Sequence, residues 1–232
     1  MNILSIDTSS YVMGVAIMRD GQIVGEILTN TKKNHSIRLM PAIDSLMKEC
    51  DVSPKMLHKI VVAKGPGSYT GVRIGVTVAK TLAWTLNIPI VSVSSLEQLA
   101  WNGKNFDGYI CPLIDARRQH LFTGLYEYKN GSMEAIIEDQ NIQIDEWVLK
   151  LIELDKNVLF IGNDVPIHQE TLHQKLGNQT VFAEKLDWNP KPSMLAFIGA
   201  MRDPEHTHSF VPSYLRLAEA EANWLASKET SK

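Results

Sequence analysis

Residues 58–64 read HKIVVAK, residues 65–71 read GPGSYTG and residues 72–84 read VRIGVTVAKTLAW, and this stretch decides the fold. The first segment is an apolar, β-branched run, which is typical of a buried strand. The second is a glycine and proline cluster that predicts a turn. The third has helical spacing, and hydroxyl residues precede it where a helix cap is needed. The stretch therefore predicts a strand, a tight loop and a helix.

The predicted helix carries a stripe of small residues: Gly71, Gly75, Ala79 and Ala83 recur every four positions. Small and apolar positions together cover roughly half of the helix circumference, which exceeds the ~100° that one covered face requires. This width favours a second packing surface, a partner interface. The alternative is that both sides of the helix are buried inside a single thick domain.

The glycine loop does not have the spacing of a known phosphate-binding loop. The sequence contains no G-x-x-x-x-G-K-[ST] motif, and Gly65, Gly67 and Gly71 do not fit G-x-G-x-x-G. Nucleotide binding by this loop is therefore not predicted.

The composition is that of a globular protein large enough for one large or two small domains. The 232 residues are 44% hydrophobic and 21% charged, with a net charge of −3. The only adjacent basic pairs are Lys32–Lys33 and Arg117–Arg118. The sequence thus shows no broad basic surface of the kind that binds a nucleic-acid backbone.

Cysteine usage and the N-terminus favour a reducing, non-membrane setting. Cys50 and Cys111 lie far apart and outside any C-x-x-C motif, which argues against a disulfide scaffold or a thiolate metal site. Residues 1–7 contain neither a basic leader nor a long apolar run. We expect a cytoplasmic protein that does not enter membranes.

The strand and helix pattern occurs twice. Strands are predicted at 3–7, 12–18, 23–28, 57–63 and 89–93, with a hairpin turn at Asp20–Gly21 and an amphipathic helix at 35–50, whose start Pro41 is expected to delay or bend. After a polar segment at 101–107, strands are predicted at 109–115, 121–128, 133–138 and 158–161, with a turn at Asn130–Gly131 and helices at 147–154, from 192 onward and at 217–227. This pattern predicts an α/β protein with an N-terminal lobe at 1–102 and a C-terminal lobe at 103–232, whose terminal helix packs back on the first lobe.

Two successive βββαβα units, each led by a strand that ends in aspartate, resemble the two-lobed actin, sugar-kinase and Hsp70-type (ASKHA) ATPase fold, with a reduced second lobe. Asp7 and Asp115 match its paired aspartates. Several phrases also strongly resemble the TsaB (YeaZ) family: IDTS at 6–9, HS at 35–36, LMP at 39–41, GPGSYTGVRIG at 65–75, DAR at 115–117 and PSYLR at 212–216. The match is dense over residues 1–120 and weak over 129–190.

The resemblance implies a role in forming threonylcarbamoyladenosine at tRNA position 37. In that family picture TsaC makes threonylcarbamoyl-adenylate, TsaD transfers the threonylcarbamoyl group, TsaE contributes ATPase activity, and TsaB is a non-catalytic scaffold for TsaD. The resemblance implies TsaD as the main partner, TsaE as a second partner and tRNA contact only through the complex. Without TsaD, the same apolar face is expected to self-associate into a homodimer, because apolar patches of that size are seldom left exposed. The interface expected on helices 35–50 and 70–86 comprises Leu39, Met40, Ile43, Met47, Val72, Gly75, Val76, Ala79 and Ala83.

A metal site is not expected in this chain. TsaD holds its metal with an H-x-x-x-H pattern, which places two ligands one helical turn apart. The matching segment here begins at His35 and has Leu39 in the second position. His35 is therefore expected to be a capping or interface residue. His168, His173, His206 and His208 are interpreted as surface histidines.

We interpret four residues as a vestigial nucleotide or phosphate region: Asp7, Thr8, Ser9 and Asp115. In the ASKHA ATPases the paired aspartates position Mg²⁺ for phosphoryl transfer. Ser9 stands where those enzymes commonly have the glycine that lets backbone approach phosphate, so we expect no cofactor in this chain, with ATP and Mg²⁺ used by the complex.

Two other functions stay open at this stage. One is a stand-alone ASKHA-type ATPase or kinase, or a metallopeptidase-like enzyme, although the sequence offers no set of three metal ligands. The other is direct tRNA recognition, in which Arg73, Lys80, Arg117 and Arg118 could touch a phosphate backbone after assembly. The acidic balance of the chain disfavours it.

Overall fold

The computed structural model describes residues 1–154, 156–207 and 209–215, and in this part the chain forms two five-stranded mixed sheets. The first lobe contains β1 (Asn2–Asp7), β2 (Val12–Arg19), β3 (Gln22–Asn30), α1 (His35–Glu49), β4 (Leu57–Ala63), α2 (Tyr69–Leu86), β5 (Ile90–Val93) and α3 (Ser95–Ala100). The second half contains β6 (Tyr109–Asp115), β7 (His120–Lys129), β8 (Ser132–Gln143), α4 (Ile144–Ile152), β9 (Val158–Ile161), α5 (Val165–Leu176), β10 (Thr180–Phe182) and α6 (Pro192–Ala200).

The two sheets have the same topology. The first has the order β3-β2-β1-β4-β5, and the second, read in the same sense, has β8-β7-β6-β9-β10. In each, an antiparallel three-stranded meander leads into parallel strands that helices connect. The predicted repeat and fold class are confirmed. The second copy is the smaller one, since α4 and α5 have 9 and 12 residues where α1 and α2 have 15 and 18.

The local signals in the sequence act as expected at most element ends. Both predicted hairpin turns form, and Asp20 and Asn130 adopt positive φ angles of 51° and 52° ahead of their glycines. The side chain of Ser68 caps α2 by accepting from Gly71 N. Pro41 does not delay α1, which begins at His35 with Asn34 as its cap.

Residues 192–200 belong to the predicted C-terminal lobe at 103–232 but pack on the first lobe. This helix, α6, packs on strands of the first sheet, where Ser5 Oγ donates a 2.7 Å hydrogen bond to Pro192 O. The buried Lys59 ammonium donates to carbonyls at the C-terminal end of α6. The first sheet is thus covered by α1 and α2 on one face and by α6 on the other, while α3 contacts β6 and β7 of the second sheet. The predicted terminal helix 217–227 lies outside the described residues.

The two lobes share a continuous apolar core and a polar contact. Ile3 and Val61 of the first lobe belong to the same buried cluster as Ile110 and Tyr126 of the second. Beside this cluster, the Asp139 carboxylate accepts hydrogen bonds from Ser94 Oγ in the first lobe and from Tyr126 OH in the second. In the described residues, no helix is both long and apolar enough to cross a membrane.

Candidate functional site

The turn that follows β1 uses its polar groups within the chain. Asp7 is fully buried, and its Oδ1 accepts from Ser9 N at 2.8 Å and from Ser9 Oγ at 2.7 Å. Thr8 Oγ1 donates to Gly71 O at 2.7 Å. Burial raises the pKa of Asp7, and the two bonds from Ser9 only partly oppose that rise. The donors that could have met a phosphate therefore bind to protein oxygens.

The glycine loop and α2 pack directly on this turn. Ser68 N donates to Ser9 O at 2.7 Å. A Cβ atom added at Gly75 would lie 2.5 Å from Thr8 Oγ1, and one added at Gly71 would overlap Thr8 O. The small residues of the stripe thus permit a close approach of α2 to the turn inside the chain.

The expectation that this stripe contacts a partner is wrong for all of its predicted residues except one, because they are buried against the chain's own sheet. The buried residues are Leu39, Ile43, Met47, Val72, Gly75, Val76, Ala79 and Ala83. Met40 is 45% exposed. A partner cannot contact these side chains in the folded chain. The alternative of burial on both sides does not hold for the whole arc either, because Ile74 and Val78 at its other edge are only partly buried.

The outer surfaces of α1 and α2 nevertheless carry apolar side chains, and we call them the helical face. Ile37 is 71% exposed on α1, and Trp84 is 68% exposed on α2. Ile74 and Val78 on α2 are only partly buried. Met40 completes the set. Since α1 and α2 pack against each other, these side chains lie on one side of the first lobe. Of these residues, the sequence analysis named only Met40 as part of the interface.

Asp115, at the end of β6, is held by groups of the second lobe. Its Oδ1 is 3.0 Å from His168 Nε2, and its backbone N–H donates to Asp164 Oδ2 at 3.0 Å. His168 is buried, so its interpretation as a surface histidine is wrong. Burial raises the pKa of Asp164. The two aspartates of the predicted pair, Asp7 and Asp115, therefore each bond within their own lobe.

His35 begins α1, and its Nε2 lies 2.8 Å from Ser10 O. His35 ties the helix to the turn between β1 and β2. Asn34 acts as the cap of α1, so the capping role predicted for His35 is wrong. Leu39 packs in the core, one turn further on. Among the described residues, no group of three or more His, Cys, Asp or Glu side chains is arranged to hold a metal ion.

A small pocket of about 50 Å³ opens between the lobes. Ser10 and Tyr11 line it from the first lobe, and Asn163 and Asp164 line it from the second. Ser95 Oγ, also in its wall, is buried without a hydrogen-bond partner in the described residues. Sequence reasoning missed this pocket because its walls come from both lobes.

Comparison with known proteins agrees with this architecture. The family model for TsaD, described as tRNA N6-adenosine threonylcarbamoyltransferase, matches residues 22–224. A relative from Bacillus subtilis (strain 168), tRNA threonylcarbamoyladenosine biosynthesis protein TsaB, is 53% identical over 99% of this chain and 100% of its own length. The chain belongs to the TsaB family. It also lies within the wider family that the TsaD model describes.

Solved structures related to the TsaB family share the fold. YeaZ from Pseudomonas aeruginosa has a TM-score of 0.75 at 22% identity, over 92% of this chain and 99% of that one. A protein described as similar to peptidase YeaZ from Pseudomonas aeruginosa has a TM-score of 0.80 at 24% identity, over 93% and 99%. The predicted resemblance to TsaB (YeaZ) is confirmed. The chain is a TsaB-type protein of tRNA threonylcarbamoyladenosine biosynthesis.

Proposed function

We propose that the chain is a non-catalytic subunit of the tRNA threonylcarbamoyl-transfer complex, in which it binds TsaD and, within the same assembly, TsaE. The observation that carries this proposal is 53% identity to the Bacillus subtilis TsaB over essentially the whole chain. At this identity and coverage, relatives are expected to share their fold and their principal interaction surfaces.

The match to the TsaD model supports TsaD as the main partner. A chain with the TsaD-type fold presents the same two helices in the same place, so two such proteins can pair through equivalent surfaces, as isologous dimers do. The helical face supplies the apolar side chains that such a contact needs: Ile37, Met40, Ile74, Val78 and Trp84. Exposed patches of this kind mark interaction sites. Self-association through the same face is expected when TsaD is absent.

The turn after β1 supports the non-catalytic assignment. Phosphoryl transfer in this fold class needs donors and a metal-binding carboxylate aimed at the phosphates. Here Thr8 donates to Gly71 O, and Ser9 donates to Asp7. We assign ATP and Mg²⁺ use to the other subunits. The proposal that Asp7, Thr8, Ser9 and Asp115 are a vestigial nucleotide region stays a prediction.

Co-purification with TsaD tests the interface. We expect Met40→Glu combined with Trp84→Glu to abolish capture of TsaD, because two charges would be buried in an apolar contact. Leu149→Glu is the matched control, since Leu149 is 65% exposed on α4 of the other lobe. All variants should unfold at the wild-type temperature. Retention of TsaD by the double variant would place the interface elsewhere.

Activity separates a scaffold from an enzyme. The wild-type chain should be required for threonylcarbamoylation of tRNA by TsaD and TsaE, and the Met40→Glu/Trp84→Glu variant should not restore it. Light scattering should show a wild-type dimer and a monomeric double variant. Rapid phosphate release from ATP by the purified chain alone, lost in Asp7→Ala, would favour the ATPase function instead.

A further inference from the structure

Arg73 lies on the same side of α2 as Trp84, which belongs to the helical face. Both side chains are exposed. Their positions in the helix place them roughly 20° apart around its axis and about 16 Å apart along it. Thr77, one turn after Arg73, is exposed on the same side. This side of α2 therefore carries a cation near the start of the helix and a large aromatic side chain near its end.

Two tyrosine rings hold the Arg73 guanidinium in place. Its Cζ lies 4.4 Å from the centre of the Tyr69 ring and 5.9 Å from the centre of the Tyr214 ring. Its Nε donates to Tyr214 OH at 3.0 Å, and the two ring centres are 5.2 Å apart. Because the rings already restrict the arginine side chain, a partner that binds it loses less conformational entropy.

Backbone contacts fix the segment that carries Tyr214. Ser213 N donates to Lys64 O at 2.8 Å, just before the glycine loop. Lys80 Nζ, in the middle of α2, donates to Phe210 O at 2.6 Å. The segment is thus joined to the chain at both ends of the contact. The arrangement of the two rings around the guanidinium follows from the fold of the first lobe.

Arg73 has no acidic counterpart within the described residues. None of their carboxylates forms an ion pair with it. Asp44, an exposed carboxylate on the neighbouring helix α1, lies 2.7 Å from Lys48 Nζ. A guanidinium is a planar fork of donors that matches the two oxygens of a carboxylate. Since Tyr214 engages Nε, a carboxylate would be received at Nη1 and Nη2.

The surroundings of Arg73 favour a protein ligand over a phosphate backbone. The other basic residue of α2, Lys80, donates to a carbonyl of the chain. A phosphate backbone is bound by a row of cations, whereas this side of α2 presents a hydroxyl, an aromatic ring and one arginine. Tyrosine, tryptophan and arginine are also the residues enriched at the centres of protein interfaces.

We propose that Arg73 is the charged anchor residue of the helical face and binds a carboxylate on a helix of TsaD. The inference rests on the proposed function, since it concerns the same contact, and it adds the chemistry that the partner must supply. The apolar side chains give this contact affinity, and one charge pair fixes its register and orientation. Tyr69 and Tyr214 are positioning residues for the guanidinium.

The first test measures binding of the full chain to full-length TsaD by biolayer interferometry. We expect Arg73→Gln to weaken binding at least tenfold, mainly through faster dissociation, because it leaves the partner carboxylate unpaired. Arg73→Lys should bind almost as weakly, since an ammonium has no planar fork. Tyr214→Phe keeps the ring but loses the bond to Nε, and should weaken binding a few-fold.

Lys150→Gln is the matched control for these variants, because it also removes one exposed positive charge, on α4 of the other lobe. It should leave the affinity for TsaD unchanged. An equal loss in Lys150→Gln would show an effect of net charge alone and would overturn the anchor. Because Arg73 is exposed, its variants should unfold at the wild-type temperature, which thermal unfolding measures.

An exchange of charges identifies the partner group. Arg73→Glu should abolish capture of TsaD, because two carboxylates then face each other. Each acidic residue on the two TsaD helices that correspond to α1 and α2 is then changed to arginine in turn. One of these TsaD variants should bind Arg73→Glu and bind the wild-type chain poorly. If none of them restores binding, a carboxylate on these helices is not the ligand of Arg73.

The outcomes separate this inference from the proposed function. If the wild-type chain does not bind TsaD, the proposed function fails and the anchor fails with it. If the wild-type chain binds TsaD and Arg73→Gln binds it equally well, the complex stands and only the anchor is overturned. Unchanged TsaD affinity together with weaker binding of an anticodon stem-loop RNA by Arg73→Gln would assign the arginine to RNA and also overturn it.

Discussion

The Thr8 hydroxyl donates a 2.7 Å hydrogen bond to the Gly71 carbonyl, and this contact joins the turn after β1 to the first turn of α2. The same hydroxyl lies 2.5 Å from the position that a Cβ atom at Gly75 would take. The Thr8 hydroxyl thus explains why Gly75 is needed, and the Thr8 backbone carbonyl oxygen, which a Cβ atom at Gly71 would overlap, explains Gly71. The close approach that the stripe permits is intramolecular.

Gly75→Ala should therefore destabilise the fold although alanine favours helices. We expect a loss of about 1–3 kcal/mol in the free energy of unfolding, the usual cost of overpacking. The loss should shrink in a Thr8→Ala background, because the atom that clashes is then absent. Urea unfolding of the four proteins in this cycle measures the coupling. Additive effects would show that the hydroxyl is not the obstacle, and exposed Thr77→Ala on the same helix is the control.

Periodicity was sufficient to predict the sheet pattern but not the use of the glycine stripe. Strands with alternating or continuous apolar residues, and turns with Asp-Gly or Asn-Gly, depend on neighbours in the sequence. Whether a small-residue stripe packs on the same chain or on another depends on tertiary packing. Nothing in the spacing of Gly71 and Gly75 reports that Thr8 lies above them.

The site residues that were missed depend on contacts between distant segments. His168, on α5, has an uninformative spacing to His173, whereas its partner Asp115 lies 53 residues earlier, at the end of β6. The sequence analysis also did not predict α3, because its six residues are too few to show a clear helical period.

Lys59 should be more important for stability than an ordinary lysine. Its ammonium donates to Gly199 O at 3.0 Å, in the last turn of α6, and to Arg202 O at 3.1 Å, just beyond the helix. A cation at this position also interacts favourably with the C-terminal end of the helix. We expect Lys59→Met to cost about 1.5–3 kcal/mol, the range for hydrogen bonds to charged groups.

Lys55→Met, at an exposed position, is the control for Lys59→Met and should change stability by less than about 0.5 kcal/mol. Chemical denaturation measures both variants. Equal stabilities would mean that α6 is held by its apolar contacts alone.

Asp139 should hold the lobes together, because its carboxylate accepts from Ser94 of one lobe and Tyr126 of the other. Asp139→Ala leaves both hydroxyls without their acceptor, and we expect a cost of about 1–3 kcal/mol. Asp139→Asn keeps one carbonyl oxygen and should cost less.

Hydrogen exchange should show which elements are destabilised by Asp139→Ala. In Asp139→Ala, amides of α3 should exchange faster, since Ser94 also accepts from Leu96 N and caps that helix. Amides of α5, in the outer part of the second lobe, should be unaffected. Faster exchange in α5 alone would contradict a contact between lobes.

The buried carboxyl group of Asp7 should make the free energy of unfolding depend on pH. Burial raises its pKa above that of an unfolded aspartate, so the folded chain binds a proton more readily than the unfolded chain, and Asp7 favours folding increasingly as the pH falls through the raised value. Above that value the cost of burying the charge is fully present.

Asp7→Asn keeps the Oδ1 acceptor for Ser9 and places an amide donor where Oδ2 is buried without a partner in the described residues. We therefore expect Asp7→Asn to be more stable than wild type at about pH 7, with the advantage shrinking toward about pH 4. Urea unfolding across this range, with Asp44→Asn at an exposed position as control, measures the difference. A variant that is less stable at neutral pH would show that the charged carboxylate is needed in the fold.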